Sequence, residues 1–306
     1  MHEQNEASFD FEVSVLGLGA MGTIMAQAFL KQGKRVAIWN RSPGKATALV
    51  AAGAHLCDSV EAALDASPVA VFVLLDNQAT LEVLGMAGVT RALANRTIVD
   101  YTTSAEEESL ELQALINRAG GHYLKGTIVA YPRNVGHRES HCIHTGEREA
   151  FEQHRALLEV LAGHASFLPW EEAFAFGTVL HAHAFAAMVA FFEAVAASER
   201  FGLCNTATPR RLLDTSRFFI ADALEEAVRR LETQDFTSDQ ARLDVHAGAF
   251  AYIAQSQHAQ GAWTPVFDAV CQVAQRALLM GYGDQDIAAA TQVFATSAPL
   301  QEPLGN

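Results

Sequence analysis

The hydrophobic pattern changes about halfway along the chain, and this change constrains the fold more than any other feature. From Glu12 to about Leu168, short runs rich in β-branched residues alternate with segments of helical periodicity. Regular exchange of this kind is typical of a mostly parallel sheet covered by helices on both faces. The runs predicted as strands are EVSVLGL, RVAIWN, AVFVLL, TIVDYT, HYLKGTIVA and HCIHTG. The first half is therefore expected to be a doubly wound α/β domain.

Strand signals stop after Trp170, and only helical segments follow. The predicted helices cover Phe174–Phe201, Pro209–Glu232, Gln240–Gln260 and Pro265–Leu279, with a short one near Asp284–Val293. A chain of 306 residues is also too long for one small core. We therefore expect two domains, an α/β domain over residues 1–170 and an all-helical domain over residues 171–306.

The charge and the apolar runs limit the kinds of partner. The formal net charge is −14 without a block of lysines and arginines, so neither nucleic acid nor an anionic membrane surface is expected. The first residues, MHEQNEASFDFE, are polar and acidic, unlike a signal or transit peptide. The most apolar stretch, Phe174 to Ala197, is interrupted by His181, His183 and Glu193, which favours a buried helix over a membrane span.

No metal site is expected. The four cysteines lie far apart without a CxxC pair, which favours free thiols in a cytoplasmic protein over disulfides or a zinc site. His137, His141 and His144 are spaced by four and three residues. They lie in a predicted loop and strand, where that spacing does not bring side chains together as it would on a helix.

A glycine-rich turn follows the first predicted strand. The segment GLGAMG places Gly17, Gly19 and Gly22 in G-x-G-x-x-G spacing before an amphipathic helix, which is the context that this motif needs. The first glycine allows the tight turn, the second lets a pyrophosphate approach the backbone, and the third lets helix and strand pack closely. The free N–H groups and positive dipole of the helix N-terminus then favour an anion. The turn predicts a dinucleotide site.

The end of the second strand, WNRSPGK, indicates which dinucleotide is bound. NAD sites usually place an acidic residue about 20 residues beyond the glycines, where it binds the ribose 2′-hydroxyl. This chain has Asn40, Arg41 and Ser42 there, with Lys45 close behind. Arg41 can hold a 2′-phosphate with its fork of donors, and the neighbouring donors can assist. We therefore expect the cofactor to be NADPH.

The segments VSVLGLGAMG, NRSPGKA and LLDNQAT together resemble the β-hydroxyacid dehydrogenase superfamily, and within it the imine reductases and reductive aminases. The segment GTIVAYPRNVGHRESHCIHTGEREAFE is similar to one in imine reductases, with a proline, a glycine a few residues later and a strand ending in Ser/Thr-Gly. Hydroxyacid dehydrogenases have a Ser-Gly-Gly segment here that helps to hold the substrate carboxylate. This chain has Ala130, Tyr131 and Pro132 instead, so a carboxylate substrate is disfavoured.

The resemblance implies an N-terminal Rossmann domain, a long interdomain helix and a C-terminal helical domain. It also implies a homodimer in which two chains exchange helical domains, so that each active site lies between one chain's Rossmann domain and the other's helical domain. The positions implied to bind the cofactor fall in five groups. They are Gly17, Gly19, Ala20, Met21 and Gly22 at the pyrophosphate, Asn40, Arg41, Ser42 and Lys45 at the 2′-phosphate, Leu74, Leu75 and Asp76 beside the nicotinamide ribose, Thr102 and Thr103 beside the nicotinamide, and Val129 at its face.

The interdomain helix is implied to supply the proton-donating group. Hydroxyacid dehydrogenases have a catalytic lysine there, preceded by G-x-G-x-x-x, whereas imine reductases usually have Asp or Tyr. Gly177 lies four residues before His181, which matches the distance of the second glycine and makes His181 the candidate catalytic residue. Other registers place Leu180 or Gly177 at this position. His183 points about 200° away from His181 around the helix, so only one of the two can face a common site.

Two further residues are candidates for the substrate pocket. Tyr131 follows the strand that approaches the nicotinamide in the family, and it is either a pocket residue or a structural aromatic beside Pro132. His246 lies on the helix whose counterpart in the family closes the pocket from the partner subunit, and it is a second candidate for the proton-donating group.

The resemblance implies an NADPH-dependent imine reductase that transfers hydride to cyclic imines, with reductive amination of a ketone by an amine as a further activity. Two alternatives stay open. One is a carbonyl reductase similar to β-hydroxyacid dehydrogenases, and the other is an NADPH-binding protein without strong catalysis.

Overall fold

The structure is a computed structural model in which residues 9–295 are described. The chain divides into two compact units, residues 1–180 and residues 181–306. The division falls inside a long helix, so the domain bounds 1–170 and 171–306 stay a prediction.

The first unit is built on an eight-stranded sheet. Its strands are β1 (Val13–Leu16), β2 (Val36–Trp39), β3 (His55–Leu56), β4 (Val69–Phe72), β5 (Thr97–Asp100), β6 (His122–Val129), β7 (His141–Gly146) and β8 (His164–Phe167). They are arranged in the order β3-β2-β1-β4-β5-β6-β7-β8. Strands β1 to β6 are parallel, β7 pairs antiparallel with β6, and β8 pairs parallel with β7. The predicted mostly parallel sheet is confirmed.

Helices cover both faces of this sheet. They are α1 (Ala20–Lys31), α2 (Thr47–Ala51), α3 (Val60–Ala66), α4 (Asn77–Leu84), α5 (Val89–Ala92), α6 (Glu106–Arg118) and α7 (Arg148–Leu158), with short 3-10 helices at Pro43–Ala46 and Pro132–Asn134. Polar side chains cap the N-termini of some of these helices. At α3, the Ser59 hydroxyl accepts a hydrogen bond from the Ala62 N–H at 3.0 Å, as expected of an N-cap.

Successive residues of each strand point to opposite faces, so the sheet has two hydrophobic cores. One core includes Val15, Met25, Phe29 and Phe151, and the other includes Leu16, Phe72 and Tyr123. Fully burying a large apolar side chain contributes roughly 1.5–3 kcal/mol, so both cores stabilise the doubly wound arrangement.

Helix α8 (Trp170–Arg200) begins in the first unit and continues into the second. The second unit also contains α9 (Thr208–Thr233), α10 (Leu243–Ala259), α11 (Pro265–Leu279), a 3-10 helix at Ile287–Ala290 and α12 (Thr291–Ala295). Within the described part of this unit, strand pairing is limited to isolated bridges. The prediction of a helical second half is therefore confirmed.

Two charged side chains organise the second unit. The Glu193 carboxylate accepts hydrogen bonds from the Val266 and Phe267 N–H groups at 2.8 and 2.9 Å, so it caps the N-terminus of α11. Arg230 is almost fully buried and pairs with acidic side chains at three positions, Glu226, Asp239 and Asp286.

The prediction that α8 is buried is wrong for the single chain. Among the described residues, its middle part is mostly exposed. The large apolar side chains that lie open are Phe176, Val179, Phe185, Val189 and Phe192, with exposed fractions from 50% to 68%. By length and composition, α8 is also the one helix within residues 9–295 that could cross a membrane. A helix with this many apolar side chains is normally buried, either against other protein or in a membrane.

Candidate cofactor site

The glycine turn has the shape that its motif requires. Gly17 has φ +98°, and a Cβ there would lie 2.3 Å from the Val73 carbonyl oxygen. A Cβ on Gly22 would lie 1.9 Å from the Gly17 oxygen, so a side chain is excluded at both positions. A Cβ on Gly19, in contrast, would meet nothing within 4 Å. The first and third glycines are therefore needed for packing, and the middle one borders open space of the kind that a pyrophosphate fills.

The N-terminus of α1 faces this open space without a side-chain cap. Gly19 is the N-cap residue and provides no hydrogen-bonding side chain, while Ala20 follows it exposed and Met21 half-buried. The first N–H groups of the helix thus lack side-chain acceptors, which leaves the donors and dipole that favour a phosphate. The residues present fit a dinucleotide.

Asn40 fixes the glycine turn to the end of β2. Its amide oxygen accepts a hydrogen bond from the Leu18 N–H at 2.8 Å, and its amide nitrogen donates to the Ser42 carbonyl oxygen at 2.9 Å. Both polar atoms of this side chain are therefore in use within the chain. Asn40 positions the loop, which is a role that the sequence did not indicate.

The other three residues expected at a 2′-phosphate are exposed donors. They are Arg41, Ser42 and Lys45. Arg41 lies with its Nη1 3.8 Å from the Glu82 Oε2, and its side chain is 82% exposed. This distant, solvated contact leaves the guanidinium accessible to an anion.

The turns that follow β4 and β5 are joined by a hydrogen bond. The Leu74 N–H donates to the Thr102 Oγ1 at 3.0 Å, and Thr102 itself is buried. Leu75 and Thr103 are exposed on the same two turns. Asp76 caps α4, because its carboxylate accepts from the Ala79 N–H at 2.8 Å.

A buried ion pair lies directly beneath these turns. The Lys125 Nζ is 3.3 Å from the Asp100 Oδ2, and the Tyr123 hydroxyl donates to the same oxygen at 3.0 Å. Lys125 and Asp100 are 6% and 0% exposed. Burial lowers the pKa of the Lys125 ammonium, and the neighbouring Asp100 carboxylate opposes that shift. Sequence reasoning missed this pair; the signal was one charge of each sign inside two predicted strands, TIVD and HYLKGTIV.

An apolar cavity of about 800 Å³ lies within the first unit beside the end of β6. It is lined by strand residues, by Leu168 directly after β8 and by residues of α8. The strand residues are Val129, His141, Ile143 and Ser166, and the α8 residues are Glu172, Ala175, Phe176, Val179 and Leu180. No lysine or arginine is among these lining residues. Tyr131 is half-exposed nearby in sequence, with the Arg133 guanidinium 4.7 Å from its ring centre.

The histidines considered for proton donation, His181, His183 and His246, lie in the second unit, whereas the cofactor candidates all lie in the first. The His181 ring is partly buried and 6.2 Å from that of Phe185, while His183 is exposed. The His246 ring is 5.9 Å from that of Phe250. His137, His141 and His144 do not converge: within residues 9–295, no group of three or more His, Cys, Asp or Glu side chains could hold a metal ion.

The family model of the NAD binding domain of 6-phosphogluconate dehydrogenase matches residues 12–170. The match covers more than half of the chain and includes the glycine turn. The chain belongs to this family. As a member, it contains an NAD-binding domain of the 6-phosphogluconate dehydrogenase type, as the glycine motif predicts.

Relatives of this 6-phosphogluconate dehydrogenase-like chain include reductases. An NADPH-dependent reductive aminase from Aspergillus oryzae is 31% identical over 150 residues, which is 48% of this chain and 50% of the relative. The chain spans about half the length of the curated relatives that it matches first.

Solved structures match over nearly their whole length. A structure from Pseudomonas putida KT2440, with only the provisional description of an oxidoreductase, is 79% identical with a TM-score of 0.93 and covers 94% of this chain and 99% of that one. The imine reductase from Myxococcus stipitatus in complex with NADP⁺ is 27% identical with a TM-score of 0.82, over 92% of this chain and 99% of that one. The resemblance to imine reductases and reductive aminases is confirmed, and the chain is a member of an oxidoreductase family.

Proposed function

We propose that the protein is an NADPH-dependent reductase of C=N bonds that acts on cyclic imines and their iminium ions, and that it also couples a ketone with an amine. One observation carries the proposal most: an open glycine turn at Gly19 lies beside a strand end that has Arg41 and no acid among residues 40–45. The likeness to an NADP⁺-bound imine reductase over 99% of that chain supports the same reaction.

The first unit would hold the cofactor. Arg41, Ser42 and Lys45 would bind the 2′-phosphate, and the N-terminus of α1 would bind the pyrophosphate. When bound, NADPH supplies the hydride that reduces the C=N carbon. The protein then has to orient the substrate, exclude water and provide a proton for the nitrogen.

His181 is the residue that we propose to provide this proton, either directly or through an ordered water. Its type is suitable, because an imidazole can donate or relay a proton near neutral pH. Replacing His181 by Ala should then lower turnover of an imine by roughly 10²-fold or more. His183→Ala is the matched control, since His183 is the same residue type, two positions along α8 and exposed. Near-normal turnover by the His181→Ala protein would exclude this role, and His246 would be tested next.

The apolar cavity supports a substrate that is neutral or cationic and has no carboxylate. Its lining has no lysine or arginine to pair with a carboxylate, whereas Glu172 could stabilise a positive charge. Val129 belongs to the lining, and Tyr131 follows it by two residues, so both are proposed pocket residues.

We further propose that the protein is a homodimer in the cytoplasm, without nucleic acid or a membrane as partner. The exposed apolar side chains of α8 support the homodimer. Helix α9 has a second set of apolar side chains that are each about half exposed or more, namely Phe218, Phe219, Ile220, Leu224 and Val228. Exposed large apolar side chains in this number are typical of subunit interfaces. Light scattering of the purified chain should give a mass of about twice 33.0 kDa.

NADPH consumption by the purified protein tests the reaction. The substrate is a small cyclic imine such as 2-methyl-1-pyrroline, and the disappearance of NADPH is followed together with the amine formed. Consumption with matching amine supports the proposal. Oxidation of 3-hydroxy acids with NADP⁺ and no imine reduction would instead indicate a hydroxyacid dehydrogenase. Tight NADPH binding without either reaction would indicate a cofactor-binding protein.

A further inference from the structure

We propose that the buried pair Lys125–Asp100 is a positioning device that holds the turns after β4 and β5 in the geometry needed for the nicotinamide half of the cofactor. The inference rests on the proposed function, because it assumes that NADPH binds at these turns. It concerns residues that do not touch the cofactor themselves.

The pair binds both peptide groups of one residue. The Asp100 Oδ1 accepts a hydrogen bond from the Thr102 N–H at 2.8 Å, and the Lys125 ammonium donates to the Thr102 carbonyl oxygen. The Thr102 hydroxyl then accepts from the Leu74 N–H at 3.0 Å. A single chain of polar contacts therefore runs from β6 through the turn after β5 to the turn after β4.

The position of the pair in the sheet explains why it acts at this edge. Leu16, Phe72, Asp100 and Lys125 are paired in register across β1, β4, β5 and β6, so they form one row that lies at the carboxyl ends of β1, β4 and β5. Ligands of open α/β sheets bind just beyond that edge. Beyond Lys125, β6 continues for four residues to Val129, which lines the apolar cavity.

Stability alone is a poor explanation for charges at this place. Taking an ammonium and a carboxylate out of water costs several kcal/mol per ion, and an apolar pair of similar volume is often as stable or more so. The same row contains Leu16 and Phe72, so apolar side chains suit its packing. What an apolar pair could not do is bind the N–H and the carbonyl oxygen of Thr102 at once. Fully paired buried networks of this kind restrict a backbone to one conformation.

The pair is expected to affect the nicotinamide half of the cofactor site and not the adenine half. Thr102 and Leu74 belong to the turns expected beside the nicotinamide and its ribose. The adenine half is expected at the end of β2, where Asn40 fixes the backbone through its own hydrogen bonds to Leu18 and Ser42. Loss of the ammonium should therefore displace the nicotinamide site more than the 2′-phosphate site.

The test compares two ligands on the full-length protein. NADPH occupies both halves of the site, and adenosine 2′,5′-bisphosphate occupies only the adenine half. Lys125→Met removes the ammonium and keeps most of the stem. The matched control is Arg96→Met, which also removes a largely buried cation that donates to backbone carbonyls, of Leu64 and Ala94, but at the opposite, amino-terminal edge of β5. Dissociation constants are measured by fluorescence titration and calorimetry.

The expected result is a split between the ligands. Lys125→Met should weaken NADPH binding by about tenfold or more, since small displacements of positioning groups have effects of this order, and change the bisphosphate by less than about threefold. Arg96→Met should change neither ligand by more than about twofold, even where its melting temperature falls. If Lys125→Met does not fold, Asp100→Asn/Lys125→Met replaces it, because it leaves no unpaired buried charge, and the same split is expected.

Two results would overturn the inference while leaving the proposed function intact. One is NADPH binding within about threefold of the wild type in the folded variant, and the other is equal weakening of both ligands, which indicates a general structural role. A wild-type protein that binds neither ligand would overturn the proposed function itself, and this inference with it.

Discussion

Replacing Gly19 by Ala should weaken NADPH binding by at least about tenfold without destabilising the fold. Replacing Gly22 by Ala should both weaken NADPH binding and destabilise the fold. At Gly19 the new methyl meets nothing within 4 Å in the chain, so it projects into the space proposed for the pyrophosphate. At Gly22 it lies 1.9 Å from the Gly17 oxygen, a backbone atom that no side-chain rotation can move. The two variants therefore separate ligand space from packing space within one turn.

The magnitudes follow from these distances. A Cβ is not tolerated within about 3 Å of an oxygen, so Gly22→Ala must move α1 from the turn by about 1 Å, and forced overpacking of this kind costs about 1–3 kcal/mol. At Gly19, replacement by Ala restricts the unfolded chain, and this loss of entropy in the unfolded state stabilises the folded protein by about 0.4–1 kcal/mol. Ala is a poorer N-cap than Gly by a similar amount, so the net change should stay within about 1 kcal/mol. A methyl in contact with a phosphate oxygen should weaken NADPH binding by at least about tenfold, or 1.4 kcal/mol.

Urea unfolding and NADPH titration of the wild type and both variants form the assay. The account is refuted if Gly19→Ala binds NADPH as tightly as the wild type. It is also refuted if Gly22→Ala unfolds at the same urea concentration as the wild type, because the turn would then differ from the one described.

Three further predictions concern charge. Burial lowers the pKa of His144 to about 4 from 6.5. The unfolded chain therefore takes up this proton first as the pH falls, and the contribution of His144 should lower the stability by about 1.4 kcal/mol per pH unit between about pH 6.5 and 4. Urea melts at several pH values should show a smaller fall for His144→Gln, and an equal fall would contradict the shift. Arg230→Met leaves three carboxylate partners without their buried cation and should destabilise the second unit by about 3–5 kcal/mol, seen as a lower urea midpoint; an unchanged midpoint would contradict the buried pairing. Arg41→Ala should weaken NADPH about tenfold or more and NADH by less than about twofold, and equal effects on both cofactors in a titration would exclude a 2′-phosphate contact.

Much of the α/β unit follows from local pattern. The glycine turn and the strands β1, β2, β4, β5, β6 and β7 are visible because each strand is a short apolar run between turns, whereas the antiparallel direction of β7 appears only in the folded sheet. Strands β3 and β8 were missed, since His55–Leu56 is two residues long and His164–Phe167 has only half-apolar character. Short edge strands are set by pairing with a neighbour, which no local pattern records.

Local sequence pattern predicts the glycine turn of the candidate site and the exposed donors that follow β2. Asn40 and Asp76 are predicted to contact the cofactor, and the structure shows in addition that both make hydrogen bonds that shape the backbone of their own turns. The contact between Lys125 and Asp100 does not follow from local pattern, because a contact between two strands depends on register, and the register emerges only from the folded sheet. The exposure of α8 was likewise hidden, since a sequence does not tell whether an apolar helix is covered by its own chain or by another.

Transfer of deuterium tests the central claim most directly. The purified protein is supplied with a cyclic imine and with NADPH deuterated at C4, in the two stereochemical forms in turn, and the amine is analysed by mass spectrometry and NMR. The account predicts that one of the two forms delivers a single deuterium to the former imine carbon. Amine without deuterium from either form, or NADPH consumed without any amine, would contradict it.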